Sequence, residues 1–98
     1  MKVGLSPLAF SDIEEIGDFI GIANPLRAET FVEELFQECH KIGRSPNAYP
    51  ARDELQPGLR LCAFGRYLIF FRIDDDQVTI ARVLHSARNI PALFNPQD

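Results

Sequence analysis

Residues 65–89, GRYLIFFRIDDDQVTIARVLHSARN, constrain the fold of this chain more than any other stretch. Two runs rich in β-branched and aromatic residues, Tyr67 to Ile73 and Val78 to Val83, flank the acidic turn Asp74-Asp75-Asp76, which is the pattern of a β-hairpin. Strands this apolar must be covered by other elements. The second run leads straight into Arg82, His85 and Arg88. Cations lodged in or just after covered strands are either paired internally or aimed at something outside, and the second option is a functional site.

The remaining elements follow from punctuation. Lys2 to Leu5 reads as a short opening strand, after which Ser6-Pro7 supplies an N-cap and a proline at the first helical position. A helix to about Ile22 carries Leu8, Ile13, Ile16 and Ile20 at helical spacing, with Asp12, Glu14, Glu15 and Asp18 on its other faces. Asn24-Pro25 repeats the device. The second helix places Ala28, Phe31, Val32, Leu35, Phe36, Cys39 and Ile42 on one wide stripe before Gly43 ends it. A link of about two residues makes the pair an antiparallel helical hairpin, which needs a sheet to cover its stripe. The segment 43–58, with Pro46, Pro50 and Pro57, is a loop long enough to border a binding groove. Three strands, Leu59–Phe64, Arg66–Asp74 and Gln77–Leu84, then form an antiparallel meander, and residues 87–94 form a short turn or helix. The predicted class is α+β: an N-terminal strand and an antiparallel helical hairpin packed on a small, mostly antiparallel sheet, in the order β-α-α-β-β-β.

At 98 residues the chain has room for one domain spanning positions 1–98. No apolar run approaches the roughly 20 residues that span a bilayer, and the start lacks a charged segment followed by an apolar one, so the expected location is the cytoplasm, with no membrane partner. Reduced thiols are expected there, and Cys39 and Cys62 read as core packing. No His, Cys and carboxylate spacing suits a metal, no glycine pattern suits a phosphate loop, and neither a thiol nor a serine sits in a nucleophile motif, so no cofactor is expected.

The net charge of -4 is unevenly spread. Met1 to Glu38 holds eight acids against Lys2 and Arg27, whereas the rest holds eight bases against six acids, three of them in the hairpin turn. A basic sheet therefore lies beside an acidic helical layer, which is either the ordinary solvated charge of helices or an arrangement with the basic side toward an acidic partner. The net acidity argues against a freestanding nucleic-acid binder. Within the last strand, alternation places Arg82 with Val78, Ile80 and Leu84, so a guanidinium on that apolar face needs a carboxylate or carbonyl, such as an acid of the first helix. Arg60 and Arg88 fall at strand ends, and His85 reads as a turn residue rather than a base.

The strings G-R-Y-L-I-F-F-R-I and R-V-L-H-S-A-R-N resemble the end of ParE-type toxins of the RelE/ParE superfamily of bacterial toxin–antitoxin systems, which include plasmid stabilisation proteins. The likeness extends to D-I-E-E-I-G-D-F-I (12–20), N-P-L-R-A (24–28), F-V-E-E-L (31–35) and D-E-L-Q-P-G-L-R (53–60), in family order over nearly the whole chain. RelE-like members are ribosome-dependent mRNA interferases that use lysines, arginines and a C-terminal tyrosine. The matching position here is Phe94, which has no hydroxyl to exchange a proton, and lysine occurs only at Lys2 and Lys41. ParE-type members, which the chain resembles more closely, poison DNA gyrase by binding it. The resemblance thus implies a non-catalytic toxin that contacts gyrase through Arg60, Arg82, His85, Arg88 and an exposed Phe94. It also implies a hetero-oligomer with a ParD-like antitoxin, whose tail lies in a groove lined by Phe31, Leu35, Phe64, Tyr67 and Leu93. The alternative it leaves open is an interferase with the ribosome and mRNA as partners.

Overall fold

A computed structural model describes residues 1–94. Strand β1 (Lys2–Leu5) leads into helices α1 (Pro7–Ala23) and α2 (Pro25–Ile42). Strands β2 (Arg60–Phe64), β3 (Tyr67–Asp74) and β4 (Gln77–His85) follow, and a short helix α3 (Ile90–Phe94) ends the described chain. The sheet order is β1-β4-β3-β2, with β1 parallel to β4 and the other pairs antiparallel. The architecture is the α+β arrangement that the sequence predicts.

Caps explain the helix boundaries. The Ser6 hydroxyl accepts from the Ala9 N–H at 3.0 Å, which satisfies one free donor of the first turn of α1. Asn24 serves both helices: its N–H donates to Ile20 O at 2.9 Å, and its Oδ1 accepts from the Arg27 N–H at 3.0 Å. One residue, rather than two, therefore joins α1 to α2. Gly43 ends α2 with an ordinary right-handed φ of -62°. Close approach is what demands glycine there, since a Cβ would stand 2.6 Å from Met1 O. The β3–β4 turn uses left-handed backbone at Asp75 and Asp76, with φ of 44° and 62°, a geometry that matches the strand twist in two-residue hairpins.

The sheet is covered on both faces. On one side Ile13, Ile16, Leu35, Cys39 and Ile42 of the helices pack on Ile69, Phe71, Val78, Ile80 and Val83. On the other, Leu55 and Leu59 of the long loop and Phe94 of α3 cover Phe70, Ala81 and Leu84. The loop contains a single 3-10 turn at Pro46–Ala48 and a bridge from Ala51 to Arg60, so part of it forms a lid on the second face.

Two details depart from the predicted pattern. In α1 the buried positions are Ala9, Asp12, Ile13 and Ile16, while Leu8 is left exposed. Asp12, expected on an outer face, is only 5% exposed. In β4, Phe70 pairs with Arg82 but Phe71 pairs with Ile80, so Ala81 is an extra residue that bulges. A bulge shifts the alternation by one. Val83 therefore joins Val78 and Ile80 on the helix side, and Leu84 joins Ala81 on the other, which corrects the parity drawn through Leu84.

Candidate functional site

The parallel pairing of β1 with β4 runs only from Gln77 to Ile80. Beyond it, the outer edge of β4 would be left open, and an unpaired edge is costly when covered by protein. The chain closes it with α1. The Ser6 N–H donates to Ile80 O at 2.9 Å and the Ser6 hydroxyl to Ala81 O at 2.9 Å. One turn on, Asp12 Oδ2 accepts from the Val83 N–H at 2.9 Å. Arg82 curls round the same edge and donates from Nε and Nη2 to the two oxygens of Asp12, each at 2.9 Å. These bonds raise the Arg82 pKa, overcoming the opposing effect of burial. Of the two readings of Arg82, the pairing with an acid of the first helix is the one that the structure shows. At 17% side-chain exposure it has little surface to offer a target.

Past this closure, β4 ends in a turn. The Ser86 N–H donates to Arg66 O at 2.8 Å and the Arg88 N–H to His85 O at 3.0 Å. The Ala87 N–H donates to His85 Nδ1 at 3.0 Å. The imidazole meets the Tyr67 ring edge-on, with centroids 5.2 Å apart and planes at 81°. Beside the turn lies a cavity of about 330 Å³ between α1 and the sheet. Glu15, Ile16 and Phe19 of α1 form one wall, Tyr67 and Val83 the floor, and His85 and Arg88 the other wall. Arg88 is exposed, and among the described residues no carboxylate lies within 4 Å of it. Phe19 of this wall is 72% exposed, and Ile22 and Leu26 at the tip of the helical hairpin are 86% and 75% exposed.

The predicted site residues thus fall in separate places. His85 and Arg88 share the cavity. Arg60 sits at the far edge strand, its Nη1 donating to Tyr49 O at 2.6 Å and Asn47 O at 3.5 Å, so it staples the loop. Phe94, expected to be exposed, is 7% exposed and packs against Phe70 at 4.8 Å between centroids. The groove residues divide likewise. Phe31, Phe64 and Tyr67 form a half-buried aromatic row, Phe31 lying 5.6 Å from Phe64 and 5.4 Å from Tyr67. Leu35 is fully buried core and lines no groove, and Leu93 packs on the opposite sheet face. Sequence reading missed Glu15 and Phe19. Phe19 carries a legible signal, an aromatic three residues beyond Ile16 in a helix with acids at its sides.

Both cysteines are buried and free. Burial, reinforced by nearby Glu38, pushes the Cys39 thiol up to about 12 and that of Cys62 up to about 11, so neither is a nucleophile near neutral pH. Among the described residues, no three His, Cys, Asp or Glu side chains group as a metal site would require. No described helix is long and apolar enough to cross a membrane.

Residues 3–90 match the family profile described as the ParE toxin of the type II toxin–antitoxin system parDE. The chain belongs to this family. Among solved structures, the ParE-family chain is similar to one from the chromosomal ParDE system of P. aeruginosa, with a TM-score of 0.77 and 19% identity. That match covers 87% of this chain and 95% of the other, and it shows a shared fold. A chain of the toxin–antitoxin complex RelBE2 from Mycobacterium tuberculosis superimposes with a TM-score of 0.65 at 26% identity, covering 89% and 92%. No curated protein sequence matches.

Proposed function

We propose that this ParE-family toxin arrests growth in the cytoplasm by binding and poisoning DNA gyrase, without cleaving any bond itself, and that a ParD-like antitoxin neutralises it. The carrying observation is Arg88, an exposed guanidinium without an acid partner among the described residues, beside His85 on the wall of an open cavity. Such a cation recognises an acidic surface or a phosphate, and it stays protonated, so it suits binding better than proton transfer. The antitoxin surface in this reading is the half-buried row of Phe31, Phe64 and Tyr67, extended by the exposed Phe19, Ile22 and Leu26. Aromatic and apolar groups of this kind anchor helical or extended partner segments.

The second reading, left open by the resemblance to RelE-like toxins, is a ribosome-dependent mRNA interferase. One pair of assays separates the two. Purified protein is expected to inhibit gyrase supercoiling and to leave mRNA intact on translating ribosomes. The reverse pair of outcomes would replace gyrase poisoning by the interferase reading. Expression without a partner gives an independent check: a gyrase poison arrests growth with DNA-damage signalling, whereas an interferase stops translation.

A further inference from the structure

Between the last strand and α3 the chain makes one tight turn, and a side chain rather than the sheet holds it. The Ala87 N–H has no strand partner, and it donates to His85 Nδ1 at 3.0 Å. Only an imidazole nitrogen that carries no proton can accept this bond. This bond requires a neutral ring with its proton on Nε2. The same turn is closed by the Arg88 N–H to His85 O at 3.0 Å, so the backbone of Arg88 is tied to the residue that holds the ring.

We infer that His85 is the positioning residue for Arg88: its neutral ring locks the 85–88 turn through Nδ1, which fixes the guanidinium at the cavity wall, and protonation of the ring releases it. An imidazole changes charge within the physiological range. On protonation, Nδ1 becomes a donor that faces another donor, the Ala87 N–H, and the ring or the turn must rotate away. The titratable and charged groups on the elements around the ring are Asp12 and Glu15 of α1, with Asp12 already engaged by Arg82, and Arg88 of the turn. Tyr67 of β3 offers its ring edge-on. The lock thus closes as pH rises and opens as pH falls. On the opposite wall Ile16 and Phe19 carry no charge, and Glu15 is its titratable group.

The functional half of this inference rests on Arg88 being a target contact, so the experiment reads the lock and the contact separately. In the intact protein, ¹⁵N NMR from about pH 8 to about pH 5 is expected to show the Nε2–H tautomer at the upper end. The Ala87 amide and the Arg88 side-chain resonances should then move together with ring protonation. At one fixed pH, gyrase inhibition by His85→Leu should be about tenfold weaker than that of the unmodified protein, with thermal stability unchanged. His85→Asn should recover most of that loss, because its Oδ1 accepts the N–H two residues on, as in an Asx-turn. An Nδ1–H tautomer, or an Ala87 amide that ignores the ring's titration, overturns the lock. Full inhibition by His85→Leu alongside an inactive Arg88→Ala overturns the positioning role. Full inhibition by Arg88→Ala, with the amide still tracking the ring, sinks the contact and leaves the lock established.

Discussion

Arg82 and Arg88 stand six residues apart, one in β4 and the other in the turn that follows it, and the fold treats them in opposite ways. Arg82 meets a carboxylate that α1 delivers to the open edge of β4, and both partners are largely removed from water. Arg88 lies one turn further, where α1 presents Phe19 and Glu15 across a cavity and no acid within bonding reach. Residue type alone does not divide buried, paired cations from exposed, unpaired ones. The neighbouring helix does, through whichever of its side chains stands at that level of the strand.

The harshest way to break this contrast is to remove Asp12. Asp12→Ala strands a guanidinium and leaves the Val83 N–H unpaired, so a loss of about 3–5 kcal/mol is expected in urea unfolding. Combining it with Arg82→Met should return much of that loss, since a buried ion pair replaced as a unit by apolar groups is often neutral. A double variant as unstable as Asp12→Ala would mean that the bond to Val83, not the ion pair, dominates. Phe94→Ala comes next, at about 3 kcal/mol of stability, because Phe94 packs in the outer-face core. If it instead kept full stability and lost gyrase inhibition, Phe94 would belong with Arg88. Arg88→Ala should change stability by less than about 0.5 kcal/mol while abolishing growth arrest at equal soluble levels. Smallest of all, Cys39 and Cys62 should resist alkylation at about pH 8 until the protein unfolds, since under about a thousandth of either thiol is ionised there. Rapid labelling of the native protein would show that the helix–sheet interface opens readily.

Much of the architecture was legible because local signals agreed with one another. The cap-plus-proline pairs at Ser6-Pro7 and Asn24-Pro25 and the acidic turn at Asp75-Asp76 each set an element boundary through backbone chemistry that needs no distant partner. The internal pairing of Arg82 was foreseeable as a need, since a guanidinium in a covered strand requires an acceptor. Its partner was harder to read, because Asp12 sits among other acids and only the approach of α1 to β4 singles it out. The bulge at Ala81 left no mark in composition, and it moved Leu84 to the other face. Phe94 was misplaced because one aromatic near a terminus reads equally as anchor or as core. Leu93 and Phe31 look interchangeable in sequence, yet the sheet separates them, and a groove assembled from apolar residues alone cannot register that.

The partnership of β1 with β4 has a consequence for synthesis. Among the described residues, residues 2–5 find their only strand partner in residues 77–80, and Asp12 waits for Arg82 and Val83. Contacts at such separation form late, after the intervening loop entropy has been overcome. The helical hairpin can gather early, but the rim that carries the free guanidinium takes shape only after the final strand has been translated. A chain stopped short of β4 therefore lacks both the partner of β1 and this rim.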